Sequence, residues 1–169
     1  MRVYGVTGWK NTGKTGLMER LVAEISGRGF SVSTLKHAHH HTDVDQAGTD
    51  SYRHRVAGAQ EVLLASPRRW ALMAELRGAP EPPLEDLLAR MAPVDLVLIE
   101  GWKRAAHPKV ECHRAAAGRG LLAPDNPTIR AVASDVGHDG LAVPVFDLDD
   151  TAAIARFILT EVGLGEVAS

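Results

Sequence analysis

The stretch GWKNTGKT, at residues 8–15, constrains the fold of this chain more than any other feature. It fits the phosphate-binding pattern of a glycine, four free positions and Gly-Lys-Thr, which connects a buried strand to a helix. The strand-like run RVYGVT precedes it, and a segment with Leu17, Leu21 and Ile25 at four-residue spacing follows it. The motif therefore stands between a predicted strand and a predicted helix, as phosphate binding requires, and it predicts a nucleotide site.

Each position of this loop has a chemical task. Gly8 and Gly13 let the backbone turn and approach phosphate oxygens that a side chain would block. The amides of residues 11–15 point inward at the first helical turn, where unpaired N–H groups favour an anion. We expect the Lys14 ammonium on the β- and γ-phosphates and the Thr15 hydroxyl on Mg²⁺. Lys10 either touches phosphate from the loop or is solvated. The predicted nucleotide-binding residues of the loop are Gly8, Lys10, Asn11, Thr12, Gly13, Lys14 and Thr15.

A carboxylate is expected near the phosphates, at the end of a neighbouring strand. The run VDLVLIEG (94–101) offers Asp95 and Glu100, which lie about 17 Å apart along an extended strand. Ligands bind beyond the carboxyl ends of parallel strands. Glu100 is therefore predicted to serve Mg²⁺ and the attacking water, and Asp95 to lie on the far rim. The alternative for Glu100 is an exposed acid at a strand end.

A histidine-rich stretch follows the second predicted strand, FSVSTLK (30–36). It contains His37, His39, His40 and His41, with Asp43 and Asp45 just after them. In a P-loop fold this segment opens beside the phosphate site, so Asp43 or Asp45 is expected to reach the magnesium shell. The histidines then contact phosphate or a second ligand. One alternative is a transition-metal site, because imidazole and carboxylate are good ligands for zinc or nickel. The other alternative is a solvated loop.

Strand-like and helical segments alternate along the chain, apart from one hairpin. EVLLA and RWALMAEL flank SPR as the two strands of that hairpin. The further predicted strands are PKVECHR, TIRAVAS and VPVFDL, and the further predicted helices are DSYRHRVAGA (50–59), EDLLARM and DTAAIARFILTEV. We expect a single P-loop nucleotide-binding domain over residues 1–169. Its fold is α/β, a three-layer P-loop NTPase fold with a mostly parallel sheet, helices on both faces and an added antiparallel hairpin.

Composition excludes several classes of protein. The net charge of −2, from 19 basic and 21 acidic residues, gives no general attraction to nucleic acid or anionic membrane. The only cysteine, Cys112, allows no internal disulfide and suits a reducing cytoplasm. The longest apolar run, LVLI at 96–99, is too short to cross a bilayer, and the N-terminus has no signal-peptide pattern. We therefore expect a cytoplasmic protein with no nucleic-acid or membrane partner.

Three stretches together resemble the family of molybdopterin-guanine dinucleotide biosynthesis protein B. They are GWKNTGKT, the block KHAHHHTDVDQAGTDSYRHRVAGA (36–59) and DLVLIEGWK (95–103). The resemblance implies GTP and Mg²⁺ as cofactors, weak GTP hydrolysis at most, and assistance to the guanylyltransferase that joins GMP to molybdopterin. It places residues 8–15 on the phosphates, Asp45 in the switch segment and at the metal, and Glu100 at magnesium and water.

The resemblance, and not a sequence motif, favours GTP over ATP. The usual guanine-reading motif N-K-x-D is absent from this sequence. AVASD (131–135) ends a predicted strand with Asp135, whose carboxylate either accepts from the guanine N1 and N2 hydrogens or caps a turn. A homodimer is expected from the resemblance and from the hairpin, which offers edge strands to a second copy.

Two other functions remain open from the sequence. A nickel-delivery GTPase would use the histidine-rich loop, and a small-metabolite kinase would need an acceptor pocket. No arginine is clearly aimed at the γ-phosphate, which agrees with slow hydrolysis. WKR (102–104), just past Glu100, is a candidate surface for the pterin phosphate or the partner enzyme, or a solvated basic turn.

Overall fold

The computed structural model describes residues 1–38 and 43–165. The chain divides into two compact units, Met1–Ala38 with Pro93–Ser169, and His39–Ala92. The elements in chain order are β1 (Arg2–Thr7), α1 (Lys14–Gly27), β2 (Val32–Lys36), α2 (Asp50–Val56), β3 (Glu61–Ala65), β4 (Trp70–Ala74), α3 (Leu84–Ala89), β5 (Leu96–Glu100), β6 (Lys109–His113), β7 (Ile129–Ser134), β8 (Val145–Asp147) and α4 (Thr151–Glu161). The single domain expected from the sequence stays a prediction.

The first unit contains a six-stranded sheet in the order β2-β5-β1-β6-β7-β8. Every pair of neighbouring strands in it is parallel. All carboxyl ends therefore meet at one edge, and β1 lies between β5 and β6. The predicted α/β fold with a mostly parallel sheet is confirmed.

One face of this sheet is apolar and is covered by two helices. α1 buries Leu17, Leu21 and Ile25 at the spacing that the sequence predicted. α4 buries Ile154 and Ile158 in the same core, to which β1 and β5 also contribute. Helical spacing thus places one stripe of each helix on the sheet.

The other face of β6 is polar and nevertheless buried. Lys109 and Glu111 are 0% exposed and His113 is 7% exposed, while the alternate residues Val110 and Cys112 belong to the apolar core. Buried charges need partners, and these side chains find theirs in the loop backbone. Their partners are the carbonyls of Ala105 and His107 for Lys109, the amides of Leu122 and Ala123 for Glu111, and the carbonyl of Arg119 for His113.

The alternation of strands with helices that the sequence predicted fails after β5. No α-helix occurs in the described segment between β5 and β8, where the connections are turns and two short 3₁₀ segments, Ala115–Ala117 and Ala123–Asp125. Prolines in this segment explain why no α-helix forms there, because proline interrupts helices and ends them early. The prolines are Pro108, Pro124, Pro127 and Pro144.

The second unit contains the predicted hairpin, which is confirmed. β3 and β4 pair antiparallel with Ala65 opposite Trp70, and the Ser66 amide and hydroxyl both donate to the Arg69 carbonyl in the turn. The two strands form a sheet of their own. Among the described residues, no helix has the length and apolar character needed to cross a bilayer.

Candidate phosphate-binding site

The loop between β1 and α1 lies at the carboxyl edge of the six-stranded sheet. β1 is central, and the chain continues from it to β2 on one side, while β6 lies on the other side. Ligands of open α/β sheets bind at this kind of position. The glycine-rich loop predicted from the sequence therefore lies where a nucleotide site belongs.

The backbone of this loop requires glycine at two positions. Gly8 has φ +139°, and a Cβ built there would collide with the carbonyl oxygen of Cys112. Gly13 has φ +92° and precedes α1, and a Cβ there would lie 3.1 Å from Nε of Arg114. Asn11 also adopts a left-handed conformation, φ 65°, which asparagine tolerates better than most residues. The loop can approach an anion closely because these positions carry little or no side-chain bulk.

Lys14 begins α1 and turns back over the loop. Its ammonium and the Thr12 hydroxyl both donate to the carbonyl oxygen of Trp9, the hydroxyl at 2.8 Å. No side chain of the described residues caps the N-terminus of α1, so its first amides stay available for an anion. Burial lowers the pKa of Lys14, and Lys103 lies near enough to lower it further. An anion bound at this end of α1 would favour the charged form of Lys14 and so oppose the effects of burial and of Lys103.

Glu100 lies beside the predicted magnesium ligand. The Thr15 hydroxyl is 3.5 Å from Oε1 of Glu100, and the Lys36 ammonium is 3.5 Å from Oε2. The Glu100 side chain is only 13% exposed. A hydroxyl and a carboxylate at this separation are oxygen ligands of the kind that Mg²⁺ prefers, so Thr15 and Glu100 fit the ion. The sequence analysis did not identify Lys36, although its place at the end of β2, next to β5, was a usable signal.

Asp95 lies at the opposite edge, as the sequence predicted. Its carboxylate accepts from the amide and the hydroxyl of Ser31, at 2.8 and 2.6 Å. Asp135 follows β7 at the carboxyl edge and is exposed. Its Oδ1 accepts from the Ala115 amide at 2.9 Å, which is the turn-capping role. Whether Asp135 also reads a base stays a prediction.

Asp45 belongs to the second unit and takes part in a network there. Its carboxylate accepts from the Ser51 and Thr49 hydroxyls and from Arg55. Burial raises the pKa of Asp45, but these hydrogen bonds and that from the Gln46 amide outweigh it and lower the pKa. The switch and metal roles of Asp45 stay predictions.

Arg55 holds the second unit together through three carboxylates. Its guanidinium lies 2.7 Å from Asp43, 2.7 Å from Glu75 and 3.3 Å from Asp45, and its side chain is 15% exposed. The hydrogen bond from Arg55 is the main cause that lowers the pKa of Asp43. A guanidinium can bind several carboxylates at once because its N–H donors are held in a fixed plane.

We expect this network to make the protein acid-labile. A carboxyl group with a lowered folded-state pKa stabilises above its unfolded pKa, and this contribution disappears as the pH falls through the folded value. The free energy of unfolding should therefore decrease as the pH falls from about 5 to about 2. Arg55→Met should flatten that dependence, and denaturant unfolding at several pH values measures it. Equal slopes in the two proteins would show that Arg55 does not lower the pKa of Asp43.

The histidine-rich loop is only partly described. The His37 ring stacks on Trp102, with ring centres 4.4 Å apart, and the His37 amide donates to the Glu100 carbonyl. His39, His40 and His41 lie outside the described residues. Within 1–38 and 43–165, no group of three or more histidine, cysteine, aspartate or glutamate side chains is placed to hold a metal ion.

Comparisons with known proteins agree with this geometry. The sequence model of the family "MobB: Molybdopterin guanine dinucleotide synthesis protein B" matches residues 3–135. The chain is 40% identical, over 155 residues, to the molybdopterin-guanine dinucleotide biosynthesis adapter protein of Escherichia coli K12, covering 89% of this chain and 87% of that protein. It is 43% identical to the adapter protein of Haemophilus influenzae over 115 residues, covering 66% of this chain and 63% of that protein.

Solved structures show the same fold. The crystal structure of the MobB homologue from Bacillus stearothermophilus is 32% identical, with a TM-score of 0.69 over 96% of this chain and 99% of that chain. Bacillus subtilis MobB is 26% identical, with a TM-score of 0.71 over 96% of this chain and 98% of that chain. The similarity thus extends beyond the phosphate loop to nearly the whole chain.

Proposed function

The chain belongs to the family of molybdopterin guanine dinucleotide synthesis protein B, and we propose that it is a GTP-binding adapter of that biosynthesis. The observation that carries the proposal is the loop of residues 8–15, with its glycine backbone, the uncapped N-terminus of α1 and the Lys14 ammonium above it. Thr15 and Glu100 would hold Mg²⁺, which supplies charge neutralisation at the phosphates. The buried thiol of Cys112 suits the reducing cytoplasm.

Hydrolysis should be slow in this site. The structure places the Glu100 carboxylate beside Thr15, and the Lys36 ammonium pairs with it. The Lys36 ammonium thus occupies one of the two Glu100 oxygens that could position an attacking water. The proposed protein is therefore a GTPase of low rate at most, and its contribution lies in binding.

The partner in this proposal is the guanylyltransferase that joins GMP to molybdopterin. The experiment measures the formation of molybdopterin guanine dinucleotide by the purified guanylyltransferase, with and without this chain, in the presence of Mg²⁺ and GTP. We expect a higher yield with the wild-type chain and no gain with Lys14→Ala. An equal gain with Lys14→Ala would mean that the nucleotide loop has no part in the adapter role.

Asp135 is the residue that we propose for guanine preference. It follows β7 at the carboxyl edge, and its hydrogen bond from the Ala115 amide uses Oδ1, which leaves Oδ2 for a base. Asp135→Asn should reduce GTP affinity by about tenfold, since an amide cannot accept both guanine hydrogens in place of a carboxylate. ATP affinity should change little. Equal losses for GTP and ATP in equilibrium titrations would assign Asp135 to the turn alone.

We also propose a homodimer formed through the hairpin. β3 and β4 pair only with one another among the described residues, and Leu63 and Trp70 are 61% and 67% exposed. A two-stranded sheet of this kind is marginal alone, and its outer edges can pair with a second copy. Leu63→Glu should convert a dimer to a monomer in sedimentation velocity. Arg68→Glu, in the exposed turn, is the matched control, and a monomeric wild type would contradict the proposal.

A further inference from the structure

Two cations lie against the aromatic ring of the phosphate loop. The Lys103 ammonium is 4.3 Å from the centre of the Trp9 ring, and the Arg119 guanidinium is 5.7 Å from it. Both distances are within the range of cation–π attraction. Lys103 follows β5 and Arg119 follows β6, so the two strands beside β1 each supply one charge.

Side-chain hydrogen bonds fix the backbone that carries both cations. Nε2 of the buried His113 donates to the Arg119 carbonyl at 3.2 Å, and the Trp9 indole N–H donates to the next carbonyl, that of Gly120, at 2.8 Å. The Asn126 amide donates to the Lys103 carbonyl at 3.1 Å. Because a carbonyl only accepts, His113 carries its hydrogen on Nε2. The backbone that carries the two cations is thus held in place, and both side chains lie against the Trp9 ring.

Neither cation has a counter-ion within the described part of the chain. The ion pairs in the described part of the chain include Lys36 with Glu100 and Arg55 with its three carboxylates. None of them involves Lys103 or Arg119. Lys103 also lies near enough to Lys14 to lower its pKa, although burial is the main cause of that shift. Positive charge is therefore concentrated beside the Trp9 ring of the loop.

We propose that Lys103, Arg119 and the Trp9 ring form a second anion subsite, beside the P-loop, which binds the phosphate monoester of a phosphorylated pterin. A guanidinium offers paired donors to phosphate oxygens, and an ammonium adds a point charge. The loop amides and Lys14 remain for the nucleotide. The choice of a pterin rests on the proposed function, whereas the anion subsite rests on the geometry alone.

The probe for this subsite is phenyl phosphate, a simple phosphate monoester. It is titrated calorimetrically into the full chain that is saturated with Mg²⁺ and GTP, so that the P-loop is already occupied. We expect Lys103→Ala and Arg119→Ala each to weaken phenyl phosphate binding by at least about tenfold, the loss of one charge-assisted hydrogen bond. GTP affinity should stay within about threefold in both variants, because each lost charge is partly exposed and screened.

Arg104→Ala is the matched control, because Arg104 is exposed and adjacent to Lys103, whereas the cation–π contacts of the Trp9 ring are those of Lys103 and Arg119. It should leave phenyl phosphate binding unchanged. The subsite is refuted if the wild type does not bind the probe, if Arg104→Ala loses as much affinity, or if GTP affinity falls as far as that of the probe. In the last case both cations serve the nucleotide.

The proposed function and the subsite can fail separately. If GTP does not bind to the wild type, the nucleotide proposal falls. The subsite is then decided by titrating phenyl phosphate into Lys14→Ala, which lacks the competing cation of the P-loop. Binding that Lys103→Ala removes in that background supports the subsite, and binding that it leaves intact refutes it.

Discussion

Replacing Lys14 with alanine is expected to weaken GTP binding by at least about 30-fold, which corresponds to ~2 kcal/mol. The Lys14 ammonium lies over the loop, with burial lowering its pKa. A partly buried cation makes stronger bonds to phosphate than a solvated one, because less water competes. The loop amides remain in the variant, so binding should be weakened rather than abolished. Equilibrium dialysis with labelled GTP and Mg²⁺ measures this loss.

Lys10→Ala is the control for that experiment, because it removes the same charge from the same loop. Lys10 is exposed, and an exposed charge contributes little at physiological ionic strength. We expect a loss within about threefold. Unchanged GTP affinity in Lys14→Ala would contradict the phosphate assignment of the whole loop, and a large loss in Lys10→Ala would place Lys10 on the nucleotide.

The local parts of the fold and site could be predicted from the sequence. The strand β1, the loop of residues 8–15 and the buried stripe of α1 follow one another within 26 residues, Arg2–Gly27. Hydrophobic spacing and loop chemistry decide such segments, and they depend on near neighbours. Glu100 was also predictable, because the end of the most apolar strand must lie at the ligand edge of a parallel sheet.

The long-range parts were not predictable. Alternation along β6 would place Lys109, Glu111 and His113 on a solvated face, but loop backbone covers and satisfies them. Similarly, the bond from Trp9 to Gly120 joins residues that are 111 positions apart. Periodicity along a strand does not show which loop covers it, and a basic side chain does not show which ring it contacts. These contacts arise only from the order of strands in the sheet.

Gly8→Ala is expected to lower the free energy of unfolding by about 2–4 kcal/mol and to abolish GTP binding. Gly8 adopts φ +139°, where an L side chain is strained. In addition, the new Cβ would collide with the carbonyl oxygen of Cys112, which is backbone of the neighbouring strand β6 and cannot rotate away. The loop must therefore move, and the amides that we propose to face the phosphates move with it.

Gly27→Ala separates this effect from a general cost of removing glycine. Gly27 ends α1, and a Cβ there has no heavy atom within 4 Å. Alanine is the better helix former, so this variant should be as stable as the wild type or more stable by up to about 1 kcal/mol. Denaturant unfolding and GTP titration of both variants make the comparison. If Gly8→Ala unfolds like the wild type and still binds GTP, the close approach of the loop to β6 is not what shapes the phosphate site.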